Sequence, residues 1–137
     1  MDVSTYLFFD GDCREAFEFY ERALGGRIET MMTYGEGSAR DKVPAEAYER
    51  IMHVCLSLGG YRIMGSDRPV TDAHQPIQGA YLVLGVADPD EAKRLFDILS
   101  GSGHVEMPME ETFWARRFGT TVDRFGVRWM VNCEKAD

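Results

Sequence analysis

Three histidines, three cysteines and fifteen lysines and arginines hold most of the reactive potential of this 137-residue chain. A lone imidazole or thiol does chemistry only when a second group stands beside it, so placement counts for more than number. His53 and Cys55 lie two residues apart in the alternating run 51–58, which ends at Gly59-Gly60. Two glycines between two such runs predict a two-residue hairpin turn. That turn sets Cys55 opposite Met64, Ser57 opposite Arg62 and His53 opposite Ser66, all on one sheet face. Val54, Leu56, Leu58, Tyr61 and Ile63 form the other face, which is the more apolar and should pack under helices. His53, Cys55, Ser57, Arg62 and Met64 are then left open, with the mildly polar mixture of a ligand pocket. Near the C-terminus Arg128, Met130 and Asn132 alternate on one face, and Val127, Trp129 and Val131 on the other.

Each candidate has two readings. His53 is a base or ligand-binding group, or a hydrogen-bonded structural residue. Cys55 is a reactive thiol or a small core hydrophobe, and no second histidine or helix N-terminus is placed to lower its pKa. Trp114 is a stacking platform or a packing residue. Arg117 can clamp a carboxylate or phosphate with two parallel hydrogen bonds, or pair with one of the acidic residues nearby. Met31, Met32, Met107 and Met109 suit core or interface filling. No side chain stands out as an activated catalytic group.

The elements that must position these residues occur twice. Residues 6–9 form an apolar strand, Asp12 an acidic cap, and Ala16, Phe17, Tyr20 and Leu24 the apolar face of a helix stopped by Gly25-Gly26. From Tyr81 the pattern returns: a strand, the cap Asp88 with Pro89 at the first helical position, then Ala92, Leu95, Phe96 and Leu99 before glycines. Gly60-Tyr-Arg-Ile-Met64 and Gly126-Val-Arg-Trp-Met130 share the pattern Gly-x-Arg-apolar-Met, each as the return strand of a hairpin. One more strand precedes each hairpin, at 27–34 and 104–109. The chain therefore reads as one α+β domain, residues 1–137, of two tandem βαβββ modules. Module one covers about 3–67, a linker about 68–79, and module two about 80–134. An insert at 35–50 should include a short helix at 44–48.

Composition narrows the partners. A formal net charge of -8 repels nucleic acid and anionic membrane. The apolar runs are strand-length, too short to cross a bilayer as helices. The start, Met1-Asp2-Val3, has no export-signal pattern, and an odd number of cysteines without metal-type spacing fits a cytoplasmic protein. No Gly-x-Ser-x-Gly elbow and no glycine-rich strand-to-helix loop occurs, which argues against serine hydrolase, nucleotide-binding and methyltransferase readings.

The duplicated module resembles the vicinal-oxygen-chelate superfamily, also called glyoxalase/bleomycin resistance/dioxygenase. Residues 6–16, 51–53, 111–119 and 123–133 are similar to its PhnB-like subgroup, whose members often carry the name 3-demethylubiquinone-9 3-methyltransferase-like. The resemblance implies sheets curled into half-barrels that enclose a cup, and a small-molecule ligand in that cup. With the strand facing and side-chain chemistry above, His53, Cys55, Arg62, Met64, Trp114, Arg117, Met130 and Asn132 are the candidate ligand-binding residues of that cup. It also implies a homodimer, consistent with a first strand apolar on both faces and with eight methionines and eight phenylalanines. Metal-dependent members bind a divalent ion through His, Glu or Gln on the first and last strands of each module. The matching positions are near Thr5, Met64, Tyr81 and Met130, none of which competes well for such an ion. The expectation is binding without metal or other cofactor. The alternatives are a metal-dependent lyase, isomerase or dioxygenase, which needs three or four converging His or Glu ligands, and a non-catalytic protein-interaction module with a filled cup.

Overall fold

The computed structural model describes residues 1–69 and 73–135. It forms two compact units, Met1–Gln75 and Pro76–Asp137. The first unit runs β1 (Thr5–Phe9), α1 (Cys13–Leu24), β2 (Arg27–Thr33), β3 (Ile51–Leu58) and β4 (Tyr61–Asp67). Its sheet has the order β1-β4-β3-β2, with β1 parallel to β4 and the other pairs antiparallel. The second unit runs β5 (Leu82–Gly85), α2 (Pro89–Ser100), β6 (His104–Glu110), β7 (Ala115–Val122) and β8 (Arg128–Glu134). Its order, β5-β8-β7-β6, repeats the first sheet strand for strand, and again only the outer β5 pair is parallel. Both units are thus one βαβββ motif, a mixed sheet with one helix on one face.

In the first unit the helix buries Cys13, Ala16, Phe17, Tyr20 and Ala23, while Leu24 is half-buried. They meet Leu7 and Phe9 of β1, Val54 and Leu56 of β3 and Ile63 of β4, all buried. In the second, Ala92, Leu95, Phe96 and Leu99 lie over Trp129 and Val131 of β8. Period 3.6 on the helix and period 2 on the strands select the same residues for the core, which is why the repeat was visible in the sequence. Gly65 lies inside β4. A Cβ there would stand 2.8 Å from both the Leu7 carbonyl oxygen and Phe17 Cε2, so glycine lets the helix ring lie against the sheet. The short helix expected at 44–48 is a single 3₁₀ turn, Ala45–Ala47, preceded by another at Arg40–Lys42.

The two helix starts differ. Asp88 caps α2, its Oδ1 accepting from the Asp90 N–H at 3.2 Å, with Pro89 in the first turn. Asp12, expected to do the same for α1, makes no side-chain cap. The Cys13 N–H is instead taken at 3.1 Å by the buried carboxylate of Asp67 at the end of β4. Burial, reinforced by the neighbouring charges of Asp67 and Glu15, raises the pKa of Asp12 despite its backbone hydrogen bonds. A carboxyl raised on folding contributes stability that is fully present below its unfolded pKa and lost as pH rises through the folded one. Asp12→Asn, which keeps an acceptor oxygen without the charge, is therefore expected to match the wild type in acid. It should exceed it near neutrality, by a margin that solvent around this part-exposed carboxyl keeps small. Thermal unfolding of both proteins across pH checks this: curves that stay parallel contradict it.

Candidate functional site

The first unit leaves one sheet face without a helix. Its floor follows from the β3–β4 register, which pairs Cys55 with Met64, Ser57 with Arg62 and Leu56 with Ile63, as the Gly59-Gly60 turn predicted. The β3–β4 ladder runs as far as Val54 and Gly65; His53 pairs on its other side with Met32 of β2. Tyr6 and Phe8 of β1 pair with Met64 and Ser66 and project from the same face, each about 40% exposed, whereas Leu7 and Phe9 are buried beneath.

The side chains on this face hold one another. The Tyr6 hydroxyl and His53 Nδ1 are hydrogen-bonded at 3.1 Å, their rings stacked with centroids 5.7 Å apart. Phe8 lies 5.3 Å from Tyr6, and the Arg68 guanidinium stands over the Phe8 ring at 4.3 Å. Arg62 pairs with Asp2 at 2.8 Å on the exposed rim, a contact that solvent makes weak. Cys55 is half-buried, whereas Cys13 and Cys133 are buried. Burial pushes the Cys13 thiol far up, with the charges of Asp67 and Asp12 adding to the effect, so Cys13 is inert.

The second unit also has an open face. Thr120 pairs with Met130 and Phe118 with Asn132, so these residues share it with Arg128. Tyr81 donates to Glu106 Oε1 at 2.8 Å and Arg128 pairs with Glu106 Oε2 at 2.9 Å, a three-residue clasp across the sheet. Trp114 meets Phe118 and Phe113 edge-on, with centroids 5.3 and 4.7 Å away. Asn132 Oδ1 is buried and has no hydrogen-bond partner among the described residues.

Arg117 falls elsewhere. The β7–β8 register sets it opposite Cys133, which is buried on the helix side, while Phe118 takes the open-face position. The Arg117 side chain is exposed and donates to the Arg116 carbonyl at 2.8 Å. Of the candidates, His53, Cys55, Arg62 and Met64 share one face, and Met130, Asn132 and Trp114 gather on another; Arg117 joins neither by register. Sequence reasoning missed Tyr6, Phe8 and Arg68 in the first unit and Tyr81, Glu106 and Phe118 in the second. The signal for Arg68 was present: it continues the alternation Arg62, Met64, Ser66 by one more step.

The positions used for metal in this kind of fold can be tested against the donors that occupy them. The register puts Tyr6, not Thr5, beside Met64, and Val83 beside Met130. A phenol, two thioethers and an isopropyl group do not fit a divalent ion, which wants imidazole and carboxylate. Among the described residues no three His, Cys, Asp or Glu side chains converge. No helix among them is long and apolar enough to cross a membrane.

Comparison with known proteins agrees with this architecture. Residues 3–131 match the family model described as Glyoxalase/Bleomycin resistance protein/Dioxygenase superfamily. The chain is 37% identical over 142 residues to Protein YjdN of Escherichia coli (strain K12), covering 98% of this chain and 97% of that one. It superposes on the crystal structure of protein PA1353 from Pseudomonas aeruginosa with TM-score 0.92 and 42% identity, covering 99% of both chains. A Bacillus cereus structure described as a putative 3-demethylubiquinone-9 3-methyltransferase, PhnB protein, shares the fold at TM-score 0.81 and 22% identity, covering 97% of this chain and 99% of that one.

Proposed function

Because the chain belongs to the glyoxalase/bleomycin resistance protein/dioxygenase superfamily, we propose that it binds a small organic molecule on the open faces of its sheets, without a divalent metal. The observation that carries this reading is the uncovered floor of Tyr6, Phe8, His53, Cys55 and Met64. Aromatic and thioether surface supplies contact area, and one tethered imidazole with one thiol supplies the few polar groups that orient a ligand. A metal-dependent reaction draws no support from the donors at the usual positions. The methyltransferase name of the Bacillus relative belongs to that protein; here no glycine-rich loop follows β1 or β5 to hold a methyl-donor cofactor.

The test is native mass spectrometry of the protein purified from its own host, with elemental analysis of the same sample. The expected result is an organic adduct, lost on mild denaturation, and substoichiometric zinc, nickel, manganese and iron. The adduct should also slow maleimide labelling of Cys55, the one cysteine that is not buried. A stoichiometric metal released by His53→Ala would overturn the reading. The same spectra report assembly. We propose a homodimer, since the outer strands β1 and β6 carry exposed Tyr6, Phe8, Val105 and Met107, and such edges are usually covered. A monomer mass by light scattering at micromolar concentration would sink that part.

A further inference from the structure

We propose that Arg68 and Phe8 form an oxyanion site in the first unit, and that the ligand is a small organic acid, carboxylate or phosphonate, carried on a flat apolar body. This rests on the small-molecule reading above and names the class of molecule. The argument begins with charge. The chain has 23 Asp and Glu against 15 Lys and Arg; Arg14, Arg40, Arg116 and Arg117 bond neutral acceptors, and four others have an acidic neighbour. Arg50, Arg62, Arg94 and Arg128 all have one within 2.9 Å. Arg68 does not: its guanidinium has no ion-pair or hydrogen-bond partner among the described residues, and its Nε is buried and unsatisfied.

A guanidinium always stays charged, so a half-buried one without partners bears a desolvation cost that only an anion or hydrogen-bond acceptors relieve. It stands over the Phe8 ring, with Cζ 4.3 Å from the centroid. The ring covers one side of the cation and offers no oxygen. With Nε buried, the two Nη groups, which have no partner among the described residues, supply the fork that fits the paired oxygens of a carboxylate or phosphonate. Beyond Phe8 the floor continues as ring surface: Tyr6 lies 5.3 Å away, and its hydroxyl is tied to His53. An oxyanion seated on Arg68 therefore has an apolar, aromatic bed beside it. A purely inorganic anion would leave that bed unused.

Calorimetric titration with benzoate and phenylphosphonate tests the site, with benzamide as the neutral counterpart and acetate as the acid without a ring. The expected result is saturable binding of one or both aromatic acids, at least about ten-fold tighter than benzamide and than acetate. The tighter of the two acids identifies the oxyanion. Arg68→Gln should cost about ten-fold or more with the melting temperature held, and Arg68→Lys should lose most of the affinity, since a point charge replaces a fork. Arg94→Gln, on α2, serves as the charge control. The Arg68 Nε–H resonance of the unmutated protein should shift with benzoate and not with benzamide, a readout that survives if a variant fails to fold. Equal binding of acid and amide, no binding of either acid, or an Arg68 resonance that ignores benzoate would overturn the proposal. Adduct formation in the native protein would then still stand on its own test.

Discussion

Replacing Asp67 with alanine should lower the unfolding free energy by about 3–5 kcal/mol, among the largest losses any single polar substitution causes. The carboxylate is 1% exposed. Its Oδ1 accepts from the N–H groups of Gly11 at 2.7 Å and Cys13 at 3.1 Å, and its Oδ2 from Ile51 at 2.8 Å. The Asp67 carbonyl also accepts from the Tyr34 hydroxyl at 2.8 Å, a bond the mutation leaves in place. One side chain thus ties the start of α1 and the start of β3 to the end of β4. Alanine leaves three backbone donors facing a void, each costing about 1–3 kcal/mol when buried and unpaired. Partial collapse and entry of water keep the sum below the arithmetic maximum. Asp67→Asn should fall between the two proteins, because one oxygen still accepts while the amide points N–H at N–H. Urea unfolding of the three proteins, followed by far-ultraviolet circular dichroism, measures the order. An alanine variant within about 1 kcal/mol of wild type would mean these donors find other acceptors.

Asp67 also marks where sequence reading stops. Strand and helix periods, glycine stops and the Gly-x-Arg-apolar-Met repeat are local signals, and they placed both βαβββ modules. The β3–β4 register was legible as well, because a two-residue turn leaves a hairpin little freedom to slip. Asp67 and Cys13 lie too far apart in the chain for a cap to be read from either, so the acidic residue beside the helix took the role by default. The backbone at Asp12 shows why it does not fit: φ −108 and ψ 18 lie outside the extended region that turns a capping side chain back onto the helix. Arg117 was misplaced for a different reason. Counting back along β7 from the turn at 123–126 sets Phe118 opposite Asn132 and Arg117 opposite Cys133, so plain alternation already puts Arg117 on the helix side; its candidacy rests on guanidinium chemistry without that count. Arg68 needed its surroundings: its alternation was visible, whereas its stacking on Phe8 and the absence of an ion-pair partner among the described residues can be read only from the folded chain.

Trp129→Phe should cost about 2–3 kcal/mol and change the fluorescence in a way a loss of packing alone does not predict. Trp129 heads the fully buried side chains by volume. It sits on the helix side of β8, and its indole Nε1 donates to Asp123 Oδ2 at 2.9 Å. Asp123 Oδ1 meanwhile accepts from the Phe125 and Val127 N–H groups at 2.9 and 3.0 Å, closing the turn between β7 and β8. The indole therefore joins the core of the second unit to the turn that sets its hairpin register. Phenylalanine removes the donor and part of the ring, adding the loss of a hydrogen bond to a charged acceptor to the cost of a small cavity. Alanine at the same site should cost about 4–5 kcal/mol or more, enough to leave a domain of ordinary stability unfolded, so phenylalanine is the informative change. A cycle with Asp123→Asn separates the two contributions: a coupling near zero would mean the bond contributes nothing beyond packing. The fluorescence supplies an independent check. The chain has two tryptophans, and Trp114 is 43% exposed. Folded Trp129→Phe protein should lose the blue-shifted component of the emission and keep a solvent-like band from Trp114. A spectrum still blue-shifted after the substitution would place Trp114, not Trp129, in the apolar environment.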